Sequence, residues 1–215
     1  MSHLGQTALI TGASSGVGAA TALKLAQLGI NVVVNYNSSL SGAQAVVKNI
    51  TDLGAQAIAV QGDVSQEKDC RRIVEKTIER FGRLDILINN AGTTTFVPHH
   101  DLEGLTEDIW HQTLGVNLMG AFFMCRAAVP YLREAGSGVV VMTSSIASVT
   151  ANGSSIAYCA SKAGMNSLTK TLAKTLGSDG IRVNAVLPGL IDGDWAFNTW
   201  GGGDAGQYDE LKAAF

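Results

Sequence analysis

The sequence predicts an α/β chain built as one doubly wound parallel sheet with helices on both faces. Three observations carry that prediction. Six short runs, at 7–11, 31–35, 56–60, 84–89, 138–143 and 182–187, are almost continuous in Val, Ile, Leu and Ala, as strands covered on both faces must be. Between them lie longer stretches at 16–28, 41–53, 66–81, 107–134 and 154–176 that read as helices. The chain holds 25 Gly but only 3 Pro, which suits many tight strand-to-helix turns.

Taken in order, each strand ends at a candidate functional segment. The first runs into Thr11-Gly12-Ala13-Ser14-Ser15-Gly16-Val17-Gly18 and then a helix, the context a dinucleotide-binding turn requires. Gly12 permits the tight turn, Gly16 lets the backbone approach a pyrophosphate, and Gly18 allows close helix packing. The helix N-terminus offers N–H groups and a positive dipole end to phosphates. The second strand ends at Asn35-Tyr36-Asn37-Ser38, the third at Gly62-Asp63-Val64, and the fourth at Asn89-Asn90-Ala91-Gly92. Ser144-Ser145 follow the fifth, and Pro188-Gly189, with Ile191 nearby, follow the sixth. Repeated right-handed crossovers make such a sheet doubly wound, and ligands then sit beyond the carboxyl ends of its strands. The common position of these segments is a geometric check on their assignment.

Tyr158 and Lys162 lie four residues apart, so on a helix both side chains leave one face. A phenol at its ordinary pKa of about 10 is a poor acid–base group at neutral pH. A fixed positive charge beside it is expected to favour the phenolate and bring it toward the working range. Ser145, at a strand end, is placed to hold a substrate oxygen.

Composition bounds the rest. With 215 residues, 46% hydrophobic and 15% charged, the chain can bury one substantial core. No linker or repeat divides it, so residues 1–215 are expected to form one domain. A net charge of −3 without a basic cluster argues against nucleic acid as a partner. The longest apolar runs are of strand length, so no membrane span is expected. Met1 to Gly5 lacks a basic region followed by an apolar core. Cys70, Cys125 and Cys159 are widely spaced and read as free thiols of a reducing cytoplasm.

Together these motifs resemble, in order along the whole chain, those of the short-chain dehydrogenase/reductase family. The pattern is closest to its 3-oxoacyl-acyl-carrier-protein reductase-like members. The resemblance implies a Rossmann-type fold and hydride transfer between a nicotinamide and a carbonyl or secondary alcohol, with no metal. It implies a catalytic set of Asn117, Ser145, Tyr158 and Lys162. Tyr158 donates the proton, Ser145 orients the oxygen, Lys162 lowers the phenol's pKa and holds the ribose, and Asn117 anchors a water. The cofactor set implied is Gly12, Ser14, Ser15, Gly16, Val17, Gly18, Asn35, Tyr36, Asn37, Ser38, Asp63, Val64, Asn90, Ala91, Gly92, Tyr158, Lys162, Pro188, Gly189 and Ile191. NAD-specific relatives carry an acidic residue after the second strand. Its replacement by Asn35-Tyr36-Asn37-Ser38 favours NADP(H), with Asn35, Asn37 and Ser38 as phosphate ligands, while NAD(H) stays possible. Ser15 stands where many NADP-using relatives have a basic residue.

Several residues also have plain structural readings. Ser145 can cap a strand end, Asn117 can be a bend-forming residue, Asp63 can be a turn former, and Cys159 can be a small buried side chain. His99 and His100, adjacent in a loop, read as solvated. Trp195, Phe197, Trp200 and Phe215 read as lid or packing residues of a substrate-lid segment at 190–215, with Gly201-Gly202-Gly203 as its flexible part. Relatives continue into a further helix and a seventh strand, so the sequence predicts a sheet without that strand. Substrate alternatives are a 3-oxoacyl thioester, a sugar, a polyol or a small ketone, and a non-catalytic nucleotide-binding role. An acyl carrier protein would need a basic docking patch, for which Arg126 and Arg133 are candidates. A homodimer or homotetramer, paired through the 107–134 and 154–176 helices, is expected.

Overall fold

A computed structural model describes residues 5–193 and, beyond them, Ala196, Phe197, Gly206 and Asp209. The strands are β1 (Thr7–Ile10), β2 (Asn31–Tyr36), β3 (Ala57–Gln61), β4 (Ile86–Asn89), β5 (Val139–Thr143) and β6 (Arg182–Val186). Each lies within two residues of its predicted place. All pair in parallel, in the order β3-β2-β1-β4-β5-β6. The order reverses between β1 and β4, so their carboxyl ends diverge into a crevice.

Alternation along the strands sorts the core into two layers. Leu9, Val33, Leu87, Val140 and Val183 point to one face. There they meet Cys70, Ile73 and Val74 of α3 (Glu67–Phe81), Met124, Ala128 and Leu132 of α5 (Ala121–Glu134), and Met165 and Leu176 of α7 (Ile156–Leu176). Ile10, Val32, Val34 and Ile88 point to the other face. They meet Ala22 and Ala26 of α1 (Gly16–Gln27) and Ala43, Val46 and Ile50 of α2 (Leu40–Asp52). Both faces being covered explains why the strands read as unbroken apolar runs. At the amino edge, buried Asp85 accepts the Thr7 N–H at 2.8 Å and the Arg83 guanidinium at 2.6 and 2.9 Å.

The helix expected over 107–134 is not one regular α-helix. It consists of α4 (Glu107–Leu114), a π-helical segment (Gly115–Gly120) and α5. Asn117 lies in the wide turn, a feature that recurs at functional sites. Its last residue is a glycine because a Cβ on Gly120 would stand 2.9 Å from Val64 Cγ2 and 3.0 Å from the Val64 carbonyl oxygen. By length and composition the span Glu107–Glu134 is apolar enough to cross a membrane, contrary to the strand-length reading, yet its Met124, Ala128 and Leu132 are core residues of this sheet.

Two short elements escape the sequence pattern: α6 (Ala147–Thr150) and a 3₁₀ turn at Gly177–Asp179. The six strands are those of the described residues. Trp195, Trp200, Gly201-Gly202-Gly203 and Phe215, with most of the expected lid, lie outside them.

Candidate active site

A cleft of about 1270 Å³ opens over the carboxyl ends of the strands. Its floor is the glycine turn. Gly12 takes φ +60°, and a Cβ on it would stand 2.8 Å from Ala91 Cα. A Cβ on Gly18 would stand 2.5 Å from the Gly12 carbonyl oxygen, so Gly18 lies behind the turn rather than in the lining. Gly16, at φ +54°, has open space where a side chain would be. The Ser15 side chain makes no cap hydrogen bond to α1, and Ser14, Ser15, Gly16 and Val17 line the cleft. The helix start is thus presented to whatever the cleft holds, and the room and open backbone fit a dinucleotide pyrophosphate.

This turn is stitched to the segment after β4. Thr11 Oγ1 accepts the N–H groups of Asn90 and Ala91, each at 3.0 Å. Asn90 Nδ2 donates to the Thr11 and Gly12 carbonyls at 3.0 and 3.1 Å. Ala91 and Gly92 continue the lining.

At the far end, Asn37 and Ser38 face the cleft, and Ser39 Oγ caps α2 by accepting the Gly42 N–H at 3.3 Å. Asn35 departs from its expected role. It is 1% exposed. Its Oδ1 accepts the Gly12 N–H at 3.3 Å, and its Nδ2 donates to the Val60 and Gly62 carbonyls at 3.2 and 3.1 Å. The amide is spent on shaping the turn and has no group left for a phosphate. Tyr36 likewise is buried in the core between β2 and α2. Asp63 lines the cleft with Val64, and it is also a turn former, because its Oδ1 accepts the Ser65 N–H at 2.9 Å. Among the described lining residues, Lys162 is the one Lys or Arg.

The opposite end holds the tyrosine cluster. Ser155 caps α7 by accepting the Tyr158 N–H at 3.2 Å, which sets Tyr158 in the first turn and Lys162 one turn on. They are 8% and 3% exposed. Lys162 Nζ donates to the Thr143 carbonyl at 2.7 Å and lies 5.6 Å from the Tyr158 ring centroid. Ser145 hydrogen-bonds the Tyr158 side chain. Pro188, Gly189 and Ile191 close this side.

Burial dominates the electrostatics here. It pushes the Tyr158 phenol above its ordinary value, with the Ser145 hydrogen bond acting in the opposite direction. It also pulls the Lys162 ammonium from 10.5 down to about 8. The phenol is therefore shifted away from the neutral range rather than into it as the Tyr–Lys spacing predicts, because loss of hydration outweighs the Ser145 hydrogen bond. Burial also pushes the Cys70 and Cys125 thiols up to about 12 and raises Cys159, so all three are poor nucleophiles.

Asn117 is wholly buried and outside the lining. Its Oδ1 accepts the Thr93 N–H at 2.8 Å, and its Nδ2 donates to the Thr93 carbonyl and Ser161 Oγ, both at 3.0 Å. Ser161 Oγ in turn donates to the Tyr158 carbonyl at 2.7 Å. The side chain ties the loop after β4 to α7. Ser161, Thr93, Thr150 and Asn152 belong to this end and are passed over by sequence reasoning. Their signal is position, next to Gly92 or around Tyr158. Arg126 and Arg133 are spent on Glu67 and Asp179, at 2.6 and 2.7 Å. His99 is exposed, with Nε2 at 3.0 Å from the Gly153 carbonyl.

Comparison with known proteins agrees with this geometry. The profile of the short chain dehydrogenases matches residues 6–200. The chain is 41% identical over 195 residues to a 3-oxoacyl-acyl-carrier-protein reductase of Synechocystis, covering 90% of this chain and 77% of that one. It is 41% identical over 188 residues to an L-rhamnose 1-dehydrogenase (NAD(P)+) of Sphingomonas, covering 87% and 73%. Its fold is similar to that of an NAD+-bound xylitol dehydrogenase, with a TM-score of 0.85 at 29% identity over 92% of this chain and 75% of that one. With its parallel nucleotide-binding sheet, glycine turn and tyrosine cluster, the chain is an NAD(P)-dependent oxidoreductase that belongs to the short-chain dehydrogenase/reductase family.

Proposed function

We propose that this enzyme reduces a 3-oxoacyl thioester to its 3-hydroxyacyl product, using NADPH in preference to NADH. The observation that carries the reading is the convergence of Ser145, Tyr158 and Lys162 at one end of a dinucleotide-sized cleft. In this reading Tyr158 gives its proton to the carbonyl oxygen, and Ser145 Oγ holds that oxygen in line. A phenol kept protonated by burial is suited to act as the acid. Lys162 carries a proton at neutral pH and, once engaged, holds the nicotinamide ribose. Asn117 acts through structure, fixing Thr93 and Ser161 around Tyr158. The nicotinamide nucleotide supplies the hydride when bound. Ser14 to Val17 hold its pyrophosphate, Asp63, Val64, Asn90 and Ala91 its adenosine half, and Pro188, Gly189 and Ile191 its nicotinamide side.

The NADPH preference rests on Asn37 and Ser38, which face the cleft where a carboxylate would repel a 2′-phosphate. Asn35 and Tyr36 are left out of that role. Leu190, Ile191, Asp192 and Gly193 line the cleft and are the described start of the segment read as a substrate lid. We assign the enzyme to the cytoplasm as a homo-oligomer. Phe122, exposed on the 107–134 span and absent from the cleft lining, belongs to the surface a second copy would cover.

A second reading, oxidation of a sugar or polyol, is favoured by the rhamnose-dehydrogenase relative and by the polar Thr150 and Asn152 at the catalytic end. Initial rates with acetoacetyl-CoA and NADPH or NADH, against rates with L-rhamnose or xylitol and NADP+ or NAD+, separate the two. Faster turnover of the thioester with NADPH is expected. Turnover confined to the sugars would overturn the first reading.

A further inference from the structure

The Ser145 hydroxyl must be aimed at the reacting oxygen, yet β5 ends at Thr143; beyond it the flanking backbone is held from the β6 side, by the Ser144 N–H on the Val186 carbonyl and the Ile146 N–H on the Pro188 carbonyl, both at 2.9 Å. Ser145 itself is held by α6, a single turn bound sideways to α7, whose Ser148 N–H donates to the Ser145 carbonyl at 3.0 Å. Asn166 Nδ2 donates to Ser148 Oγ at 2.7 Å. Ser148 Oγ donates to the Ser145 carbonyl at 2.5 Å. The Ala147 N–H donates to Ser145 Oγ at 3.2 Å. The polarity of this chain is forced. Ser148 has one proton and gives it to the carbonyl, so it must accept from Asn166. That turns Asn166 Oδ1 into a buried position with no hydrogen-bond partner, an arrangement folded proteins rarely tolerate.

Asn166 lies one turn beyond Lys162 on α7. The same helix also receives the Ser144 hydroxyl, which donates to the Lys162 carbonyl at 3.2 Å, and it sends Lys162 Nζ to the Thr143 carbonyl at 2.7 Å. Residues 143–148 are therefore fastened to α7 at three successive levels. The first two hold the strand end and the lysine. The third acts on Ser145 alone.

We infer that Ser148 and Asn166 are positioning residues, which lock the Ser145 backbone so that its hydroxyl faces Tyr158. The inference rests on the proposed role of Ser145. Losing one such hydrogen bond is expected to lower kcat about tenfold while leaving the KM for the cofactor unchanged.

The test compares Ser148→Ala and Asn166→Leu with the native enzyme, with Ser148→Thr as the rescue that keeps the hydroxyl. Each is made in the native and Ser145→Ala backgrounds. Rates are read with NADPH and acetoacetyl-CoA, and the same samples are checked by thermal unfolding. The Tyr158 titration is followed by phenolate absorbance, as the difference from a matching Tyr158→Phe protein, and needs no substrate. Since the Ser145 bond draws the phenol down, Ser145→Ala should raise its titration midpoint. Ser148→Ala and Asn166→Leu should raise it toward the same value, Ser148→Thr should not, and neither should add anything once Ser145 is gone. A Tyr158 titration unmoved by Ser148→Ala, or an equal loss of rate in both backgrounds, would overturn the relay. A titration unmoved by Ser145→Ala would instead overturn the reading of Ser145, and the relay with it.

Discussion

Replacing Lys162 by Met keeps the length of the buried stem and removes its charge. Burial holds the ammonium at about 8, against 10.5 in its ordinary setting. At 1.36 kcal/mol per pKa unit, that difference corresponds to about 3 kcal/mol. The sign follows from proton binding. Below about pH 8 the lysine is charged in both the folded and unfolded chain, and the fold bears the full penalty of burying it. Between about 8 and 10.5 the unfolded chain binds more protons, so stability rises with pH and the penalty disappears. The Met variant has no such term, though it leaves the Thr143 carbonyl without its donor, a cost of about 1–3 kcal/mol at every pH. Urea midpoints of the two proteins should therefore show a stability difference that shifts by about 3 kcal/mol in the native protein's favour across this window. Tyr158, whose raised pKa weakens the fold only above its ordinary value, is common to both and cancels. Parallel stability curves would refute the assignment of the Lys162 shift to burial.

Two other predictions concern the cofactor. Asn35→Leu removes the side-chain partner of the Gly12 N–H and of the Val60 and Gly62 carbonyls, so it should destabilise the fold by about 1–3 kcal/mol. It should raise the KM for NADPH and NADH alike, whereas an effect on NADPH alone would return Asn35 to the phosphate site. Asn37→Asp places a carboxylate at the far end of the cleft and should raise the KM for NADPH about tenfold with little change for NADH, a cost of about 1.4 kcal/mol. Equal effects on the two would remove Asn37 from the 2′-phosphate site.

The fold was legible because buried parallel strands leave long, unambiguous apolar runs. Their flanking turns also carry glycines that the backbone needs at Gly12 and Gly18. The site was legible to the extent that it is sequence-local: the glycine turn, Asn90 to Gly92 and the Tyr158–Lys162 pair all face the cleft as expected. What sequence could not give was three-dimensional competition for the same atoms. Asn35 reads as a phosphate ligand by its place at a strand end and does border the cleft, yet three backbone groups from two other segments claim its amide. Helical periodicity runs unbroken through Gly115–Gly120 because a π turn changes hydrogen bonding rather than composition. The four-residue α6 is too short to have a period. A charge four residues from a phenol looks decisive on paper, but the depth of both groups decides which effect wins.

The most direct test of the central claim, a tyrosine-dependent oxidoreductase acting in this cleft, is cofactor oxidation by the native protein and by Tyr158→Phe. Thioester and sugar substrates are run side by side, and cofactor affinity is measured on both proteins. Removing one hydroxyl from a positioned acid should lower kcat by about 10²–10⁴-fold while the dinucleotide still binds. A Tyr158→Phe protein that turns over at the native rate would contradict the account.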